Sequence, residues 1–350
     1  MPKKKTAATK AAIAKKPQPK KFSVRDTFGV DVPKDIMALG YDTPSQYVPK
    51  VNPLYVFRAD ILMKFLMWFL KPEGDAFYLY GPTGSGKTTF VEQVFARLNI
   101  PLFGDTCHER YEVVELFGHR SLKEDGSMEY VYGQLVLAAT LGFPILFNEM
   151  DTIPPGVDTA INEVVTGKPF VLTEAGGKLI TPKPGFRFIA TGNTNMAGDT
   201  TGLYIGTLRK NTALQDRFRA IELGYPDRKV EEDILKKVAP ALPDRERKVM
   251  IDVVTEVRQQ FIGLPGNESV ANPIEVPFST RALIRWARVA CVNNELVEVF
   301  ENLGGSSKKT INALGAQNIL LESLESSLLW RATSETKVAV RGILQRITGA

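Results

Sequence analysis

Eight consecutive residues, Gly81, Pro82, Thr83, Gly84, Ser85, Gly86, Lys87 and Thr88, fit the pattern G-x-x-x-x-G-K-[ST]. Their flanks make this run the tightest constraint on the fold. Ala76 to Tyr80 is a short apolar run ending at Gly81, and it reads as a buried strand. Residues 88–98 then repeat apolar positions at helical spacing. Strand, glycine turn and helix in that order make a phosphate cradle. The glycines let successive backbone N–H groups turn inward. The helix that starts there adds the positive end of its dipole. Lys87 reaches the terminal phosphates, the Thr88 hydroxyl takes a magnesium site, and Thr89 joins the binding residues at the helix start. The expected ligands are ATP and Mg2+. An accidental glycine turn is the plainer alternative, and the two flanks argue against it.

Further buried strands are expected at 101–105, 143–148, 186–191 and 219–225, with helical patterns between several of them. That alternation predicts an α/β fold with a parallel sheet and right-handed crossovers. Residues 58–71 have helical apolar spacing and read as the first core helix, after an irregular lead-in over 22–57. Two hairpins interrupt the plan. One is 121–132, with a type I′ turn expected at Asp125-Gly126, and the other is 170–180, centred on Gly176-Gly177. Beyond about Tyr225 the strand signal fades. Segments 228–240, 244–262, 280–302 and much of 308–347 look helical, and 263–278 reads as a long loop. The expected organisation is a lysine-rich disordered tail over 1–21, an α/β nucleotide-binding domain over 22–225, and a smaller α-helical lid with C-terminal helices over 226–350.

The 350 residues suit two domains, and 44% hydrophobic with 24% charged residues is ordinary for a soluble globular chain. The formal charge of +5 is misleading. Residues 1–21 carry eight lysines and no acid, and subtracting those eight leaves −3 for residues 22–350. The tail is either a contact for nucleic acid or an acidic partner, or simply a solubilising arm. Cys107 and Cys291 are too few for a disulfide framework or a thiolate-only zinc site, and read as reduced, buried thiols. The longest apolar run, Ile61 to Leu70, holds Lys64 and is about half the roughly 20 residues a bilayer span needs. No long apolar stretch follows the N-terminal lysines, so a cytoplasmic protein is expected. His108 and His119 lie too far apart for an i,i+4 metal pair, so no metal beyond magnesium is assigned.

A nucleotide hydrolase of this kind also needs a carboxylate at the end of a neighbouring strand. Ile145, Leu146, Phe147, Asn148 and Glu149 supply the candidate. Glu149 is placed to polarise an attacking water as general base. The residue before it is usually Asp, which holds the magnesium shell. Here it is Asn148, whose amide can bond a metal-bound water but adds no charge. Weaker magnesium binding, slower turnover or tight nucleotide holding would follow. Asp151, two residues beyond Glu149, is a speculative substitute for the lost charge.

The order of motifs resembles an AAA+ ATPase, and within that class the MoxR type, specifically the ATPase subunits of aerobic cobaltochelatase (CobS type). The residues that carry the resemblance begin with Ser23-Val24-Arg25-Asp26-Thr27-Phe28-Gly29-Val30-Asp31 and Tyr47-Val48-Pro49. After the phosphate loop come Phe186-Arg187-Phe188-Ile189-Ala190-Thr191-Gly192-Asn193-Thr194 and the most specific stretch, Gly198-Asp199-Thr200-Thr201-Gly202-Leu203-Tyr204-Ile205-Gly206-Thr207. Gln215-Asp216-Arg217-Phe218 and Ser279-Thr280-Arg281 complete it. The match runs from about residue 22 to about 300.

The resemblance implies roles residue by residue. Asn193 falls at the polar sensor position that reads the γ-phosphate or its attacking water, and an amide suits this because it both donates and accepts. Arg217 falls at the arginine-finger position, supplied to a neighbouring subunit's nucleotide, with Arg219 as the alternative. Arg281 matches the second sensor in the lid. The family implies a homo-oligomer, a hexameric ring, acting in a chaperone-like way on a protein partner, commonly one with a von Willebrand A domain. The 121–132 hairpin sits where MoxR-type proteins carry an insert facing the pore. Tyr130 and Tyr132 would either grip a partner there or pack on their own sheet. The lysine tail and Asn148 depart from what the resemblance implies for a cobaltochelatase subunit, which favours another client. Two other readings stand beside the motor: a nucleic-acid-associated P-loop motor, and a weakly hydrolysing nucleotide-gated scaffold.

Overall fold

In a computed structural model of the chain, the described residues are 18–199, 202–261, 274–302 and 319–349. Most of the lysine tail, Thr200, Thr201, most of the expected 263–278 loop and the start of the 308–347 helical region lie outside them. The chain divides into two compact units. The first comprises the residues up to Gly81 together with Lys87–Leu223, and the second comprises Pro82–Gly86 together with residues from Gly224 onward. The five phosphate-loop residues Pro82–Gly86 group with the helical unit.

The first unit opens with strands β1 (Pro19–Ser23) and β2 (Met37–Tyr41), an antiparallel pair with a five-residue helix, Val24–Phe28, between them. This corrects the expected irregular lead-in, and it shortens the expected tail, because Lys20 and Lys21 are strand residues. The sequence signal was weak because β1 is Pro-Lys-Lys-Phe-Ser, a polar strand paired on one edge only. Ser23 caps the short helix through its hydroxyl and Gly29 ends it in the left-handed region, at φ 66°.

The main sheet follows: β3 (Ala76–Tyr80), β4 (Phe103–Thr106), the hairpin strands β5 (Gly118–Leu122) and β6 (Met128–Tyr132), then β7 (Pro144–Asn148), the hairpin strands β8 (Phe170–Leu172) and β9 (Lys178–Ile180), β10 (Arg187–Gly192) and β11 (Phe218–Glu222). Five of these form one parallel sheet in the order β11-β3-β10-β7-β4. Alternation on β3 sends side chains to two cores. Ala76 and Tyr78 join Phe103, Ile145, Phe147 and Phe188 on one face. Phe77 and Leu79 join Phe65, Trp68, Phe90 and Phe95 on the other. Trp68, Phe65 and Phe77 are fully buried, each stabilising by roughly 1.5–3 kcal/mol relative to exposure. Helix Ala59–Leu70 buries Ile61, Leu62, Phe65 and Trp68, which share one face at helical spacing.

The first hairpin turns differently from expectation. Gly126 has φ +80° but Asp125 is not left-handed, so the turn is not type I′. The Asp125 carboxylate instead accepts from the Ser127 N–H and hydroxyl, closing a longer loop over 123–127. Tyr130 donates to the Gly118 carbonyl, Tyr132 accepts from Lys178, and both rings lie against the main core. Packing thus accounts for the tyrosines, and the exposed apolar side chains of this hairpin are Leu122 and Met128.

In the second unit, helices Arg228–Val238, Asp244–Gln259, Thr280–Asn302, Ile319–Ser327 and Ser334–Thr348 bury Leu235, Met250, Val254, Leu283, Trp286, Leu324 and Leu344. The Trp286 indole N–H donates to Ser323 Oγ at 3.0 Å. Among the described residues no helix is long and apolar enough to cross a membrane.

Candidate active site

Sheet register assembles the first unit's part of the site. Gly192 pairs with Tyr80, Ala190 with Phe147, and Thr106 with Asn148. The C-terminal ends of β3, β7 and β10 are therefore level. The residues just past them, Gly81, Glu149 and Asn193, lie along the edge where parallel sheets bind ligands. Leu223 crowds Gly81: a β-carbon there would sit 2.5 Å from the Leu223 carbonyl oxygen, and φ is +141°. Only glycine fits.

Lys87 opens the helix Lys87–Leu98 and is buried. Its ammonium donates to the Gly81 carbonyl at 2.8 Å and to the Asn193 side-chain oxygen at 3.0 Å. One residue on, the Thr88 hydroxyl donates to Asn148 Oδ1 at 2.9 Å, and the Thr191 hydroxyl lies 3.4 Å from the same oxygen. Four sequence-predicted residues are thus joined in two side-chain pairs, Lys87 with Asn193 and Thr88 with Asn148. Thr89 follows half-buried in the first turn. Glu149 stands exposed at the end of β7 with φ +56°, a conformation uncommon for a non-glycine residue. Its backbone N–H lies 3.4 Å from the Thr191 hydroxyl oxygen.

Asp151 departs from expectation. Rather than facing a magnesium shell it is completely buried, and its Oδ2 accepts from the backbone N–H groups of Asn193 at 2.7 Å and Thr194 at 3.0 Å. The left-handed Glu149 and the 3-10 turn Met150–Thr152 rotate the chain so that Glu149 faces out and Asp151 faces in. Nearby, Lys210 and Asp158 form a buried pair 3.6 Å apart. Burial pushes the Asp158 carboxyl up to about 6 and the Lys210 ammonium down. Burial also pushes the Cys107 thiol up, which leaves it an inert core residue.

Arg217 lies at the other edge of the sheet. Its carbonyl accepts from the Ala76 N–H where β3 begins, and its guanidinium donates to the Ala213 carbonyl. Arg219 is committed to Asp75 at 3.0 Å. Strand β3 separates Arg217 from Gly81 by five residues, roughly 16 Å.

The second unit holds Pro82–Gly86. Gly84 (φ +72°) and Gly86 (φ +96°) are left-handed, and a β-carbon on Gly84 would sit 2.5 Å from Ser279 Oγ and 3.5 Å from Arg281 Cβ. Arg281 is exposed in the first turn of its helix. Tyr225 donates to the Thr83 carbonyl at 3.0 Å, and the Arg258 guanidinium lies 4.2 Å from the Tyr225 ring centre. Arg258 forms a buried two-pronged pair with Glu231 at 2.8 and 2.9 Å, and the Thr280 hydroxyl donates to Glu231 at 2.9 Å. Sequence reading missed Tyr225, Arg258 and Glu231, which no local motif joins.

These residues fit a nucleotide's phosphates. Within Pro82–Gly86, Gly84 and Gly86 hold left-handed φ values that favour glycine, and, among the described residues, nothing beyond its chain neighbours lies within 4 Å of the space a Gly86 β-carbon would take and the buried Ser85 hydroxyl has no hydrogen-bond partner.

An AAA domain of the dynein-related subfamily matches residues 76–218. The chain is 30% identical over 287 residues to the aerobic cobaltochelatase subunit CobS of a Sinorhizobium species, covering 80% of this chain and 83% of the relative. The chain belongs to the CobS-like AAA+ ATPases. An uncharacterized protein of Staphylococcus saprophyticus is 27% identical over 218 residues, 61% of this chain and 77% of its own length. Among solved structures, a putative ATPase of Cytophaga hutchinsonii covers 83% of this chain and 88% of its own at 18% identity and a TM-score of 0.41. For this CobS-like chain, the P-loop from Gly81 to Thr88 lies inside the matched AAA domain, as do Asn148, Glu149, Asn193 and Arg217, whereas Arg281 lies beyond it.

Proposed function

We propose that the chain binds ATP with Mg2+, hydrolyses it, and works as a ring-forming motor that remodels or activates a protein partner. The convergence of Lys87, Thr88, Asn148 and Asn193 beside the ends of β3, β7 and β10 carries this reading. Loop N–H groups and Lys87 bind the phosphates. Thr88 and, through a water, Asn148 would hold Mg2+, which would offset the negative charge of the phosphates. Glu149 accepts the proton of the attacking water, and Asn193 orients that water or the γ-phosphate. Arg217, a strand's length from Gly81, serves the phosphates of a neighbouring subunit, so the site is complete only in an assembly, in this reading a homo-hexameric ring. Arg281, beside Gly84, couples nucleotide state to the helical unit. The domains so used are 22–225 and 226–350.

The partner in this reading carries a von Willebrand A domain. A cobaltochelatase, named for the Sinorhizobium relative, is one specific version. Capture of such a protein with ATP, and its loss without ATP, is the expected result, and capture of nucleic acid alone would overturn the reading.

The neutral Asn148 favours a second reading, a nucleotide-gated scaffold that barely hydrolyses. Turnover of wild type, Asn148→Asp and Glu149→Gln separates the two. A motor turns over as wild type and stops as Glu149→Gln. A scaffold is near zero as wild type and gains turnover as Asn148→Asp. The nucleic-acid motor rests on the lysine tail, which lies mostly outside the described residues.

A further inference from the structure

We infer that Asp151 is the positioning residue that holds Asn193 at the phosphate end of the site. The inference rests on the reading of Asn193 as the phosphate sensor. Asp151 Oδ2 gathers three donors from the two residues that follow β10: the Asn193 N–H at 2.7 Å, the Thr194 N–H at 3.0 Å and the Thr194 hydroxyl at 3.3 Å. The Asp151 backbone carbonyl accepts from the Leu208 N–H at 2.7 Å. One side chain thereby ties the strand end bearing Glu149 to the loop bearing Asn193, and its main chain ties both to the segment leading to Arg217.

Chemistry argues that this is more than packing. A fully buried carboxylate is costly, and a neutral side chain could hold a backbone turn. Charge-assisted bonds are shorter and about twice as strong as neutral ones, so a carboxylate fixes the turn more stiffly than an amide would. The site around it is tight. A β-carbon on Gly192 would lie 2.9 Å from Asp151 Cγ and 1.8 Å from the Tyr78 hydroxyl oxygen. That hydroxyl donates to the Thr194 carbonyl at 2.7 Å, so the turn is gripped from both sides. Asn193, held this way, presents its side-chain oxygen to Lys87. Catalytic geometry is sensitive to such placement, since an error of 1 Å can cost about 100-fold in rate.

The test is a cycle of variants in the full-length chain, read by MgATP affinity and by single-turnover hydrolysis of bound ATP. Asp151→Asn keeps the shape and removes the charge. It is expected to bind MgATP within about threefold of wild type and to hydrolyse at least about tenfold more slowly. Asn193→Ala is expected to be slow as well, and the double variant no slower than Asn193→Ala alone. Thr194→Val removes only the hydroxyl contact. It provides the arm that survives if Asp151→Asn does not fold, with an expected slowing of about threefold that also vanishes in the Asn193→Ala background. A slow Asn193→Ala beside a full-speed Asp151→Asn, or losses that multiply in the double variant, would overturn the positioning role alone. Full-speed hydrolysis by Asn193→Ala would overturn the sensor reading and the inference together.

Discussion

Thr88 donates its hydroxyl hydrogen to the side-chain oxygen of Asn148 at 2.9 Å. The bond orients the threonine so that its lone pairs stay open to a cation, which is what an aspartate in place of Asn148 would also do. What asparagine leaves out is the negative charge. Asn148→Asp is expected to lower the half-saturating Mg2+ concentration for ATP hydrolysis about tenfold, because an ionised acceptor binds roughly twice as strongly as a neutral one. Nucleotide affinity measured in chelator should not change. A Mg2+ requirement equal to wild type would place Asn148 away from the metal.

Arg217 and Arg219 separate by their partners. Arg219 pairs with Asp75, whereas Arg217 meets a backbone carbonyl. Arg217→Ala is expected to cut kcat about 1,000-fold while leaving ATP affinity intact, as loss of a finger does. Arg219→Ala should keep turnover and lose no more than about 1 kcal/mol of stability, the scale of an exposed pair. Steady-state kinetics and equilibrium binding on both variants check this, and a turnover loss confined to Arg219→Ala would reverse the assignment.

The Arg258–Glu231 pair is almost wholly buried, and both members are tied to the chain around Thr280. Removing one partner leaves an uncompensated buried charge. Arg258→Ala is expected to destabilise the helical unit by about 3–5 kcal/mol. The double replacement Arg258→Met with Glu231→Leu should lose much less. Denaturant unfolding of the three chains measures the difference.

A pH dependence follows from Asp158. Burial raises its folded pKa to about 6 from 3.8. The folded chain therefore holds this proton more tightly than the unfolded chain does. The stabilisation is fully present below about pH 4 and is lost as pH rises through about 6. Wild type compared with Asp158→Asn should be relatively more stable at pH 5 than at pH 7.5, by about 1.4 kcal/mol. A wild-type to Asp158→Asn difference that is flat between the two pH values would contradict the assignment.

Local pattern made much of this fold legible. The apolar runs ending at Tyr80, Asn148 and Gly192 announce buried parallel strands, and glycines with a lysine announce the loop between β3 and its helix. Register aligns the three strand ends, and register is not a local property. That is why Asn148 and Asn193 were readable as candidates while their bonds to Thr88 and Lys87 were not. Asp151 was visible as an acid but misplaced, because its inward direction depends on the left-handed Glu149, which nothing in the residue type foretells. Tyr225 and Glu231 come from one stretch and Arg258 from the next helix, and Arg258 reaches both only after the helices pack. The β1–β2 pair escaped because a lysine-rich edge strand lacks the alternation of a half-buried one.

Everything above turns on a phosphate cradle centred on Lys87, and calorimetric titration of the full chain with MgATP tests it most directly. The account predicts saturable binding by wild type and at least about 100-fold weaker binding by Lys87→Ala, about 2.7 kcal/mol, with the variant's melting transition retained. Equal affinity in the two chains, or no heat of binding in wild type, would contradict it.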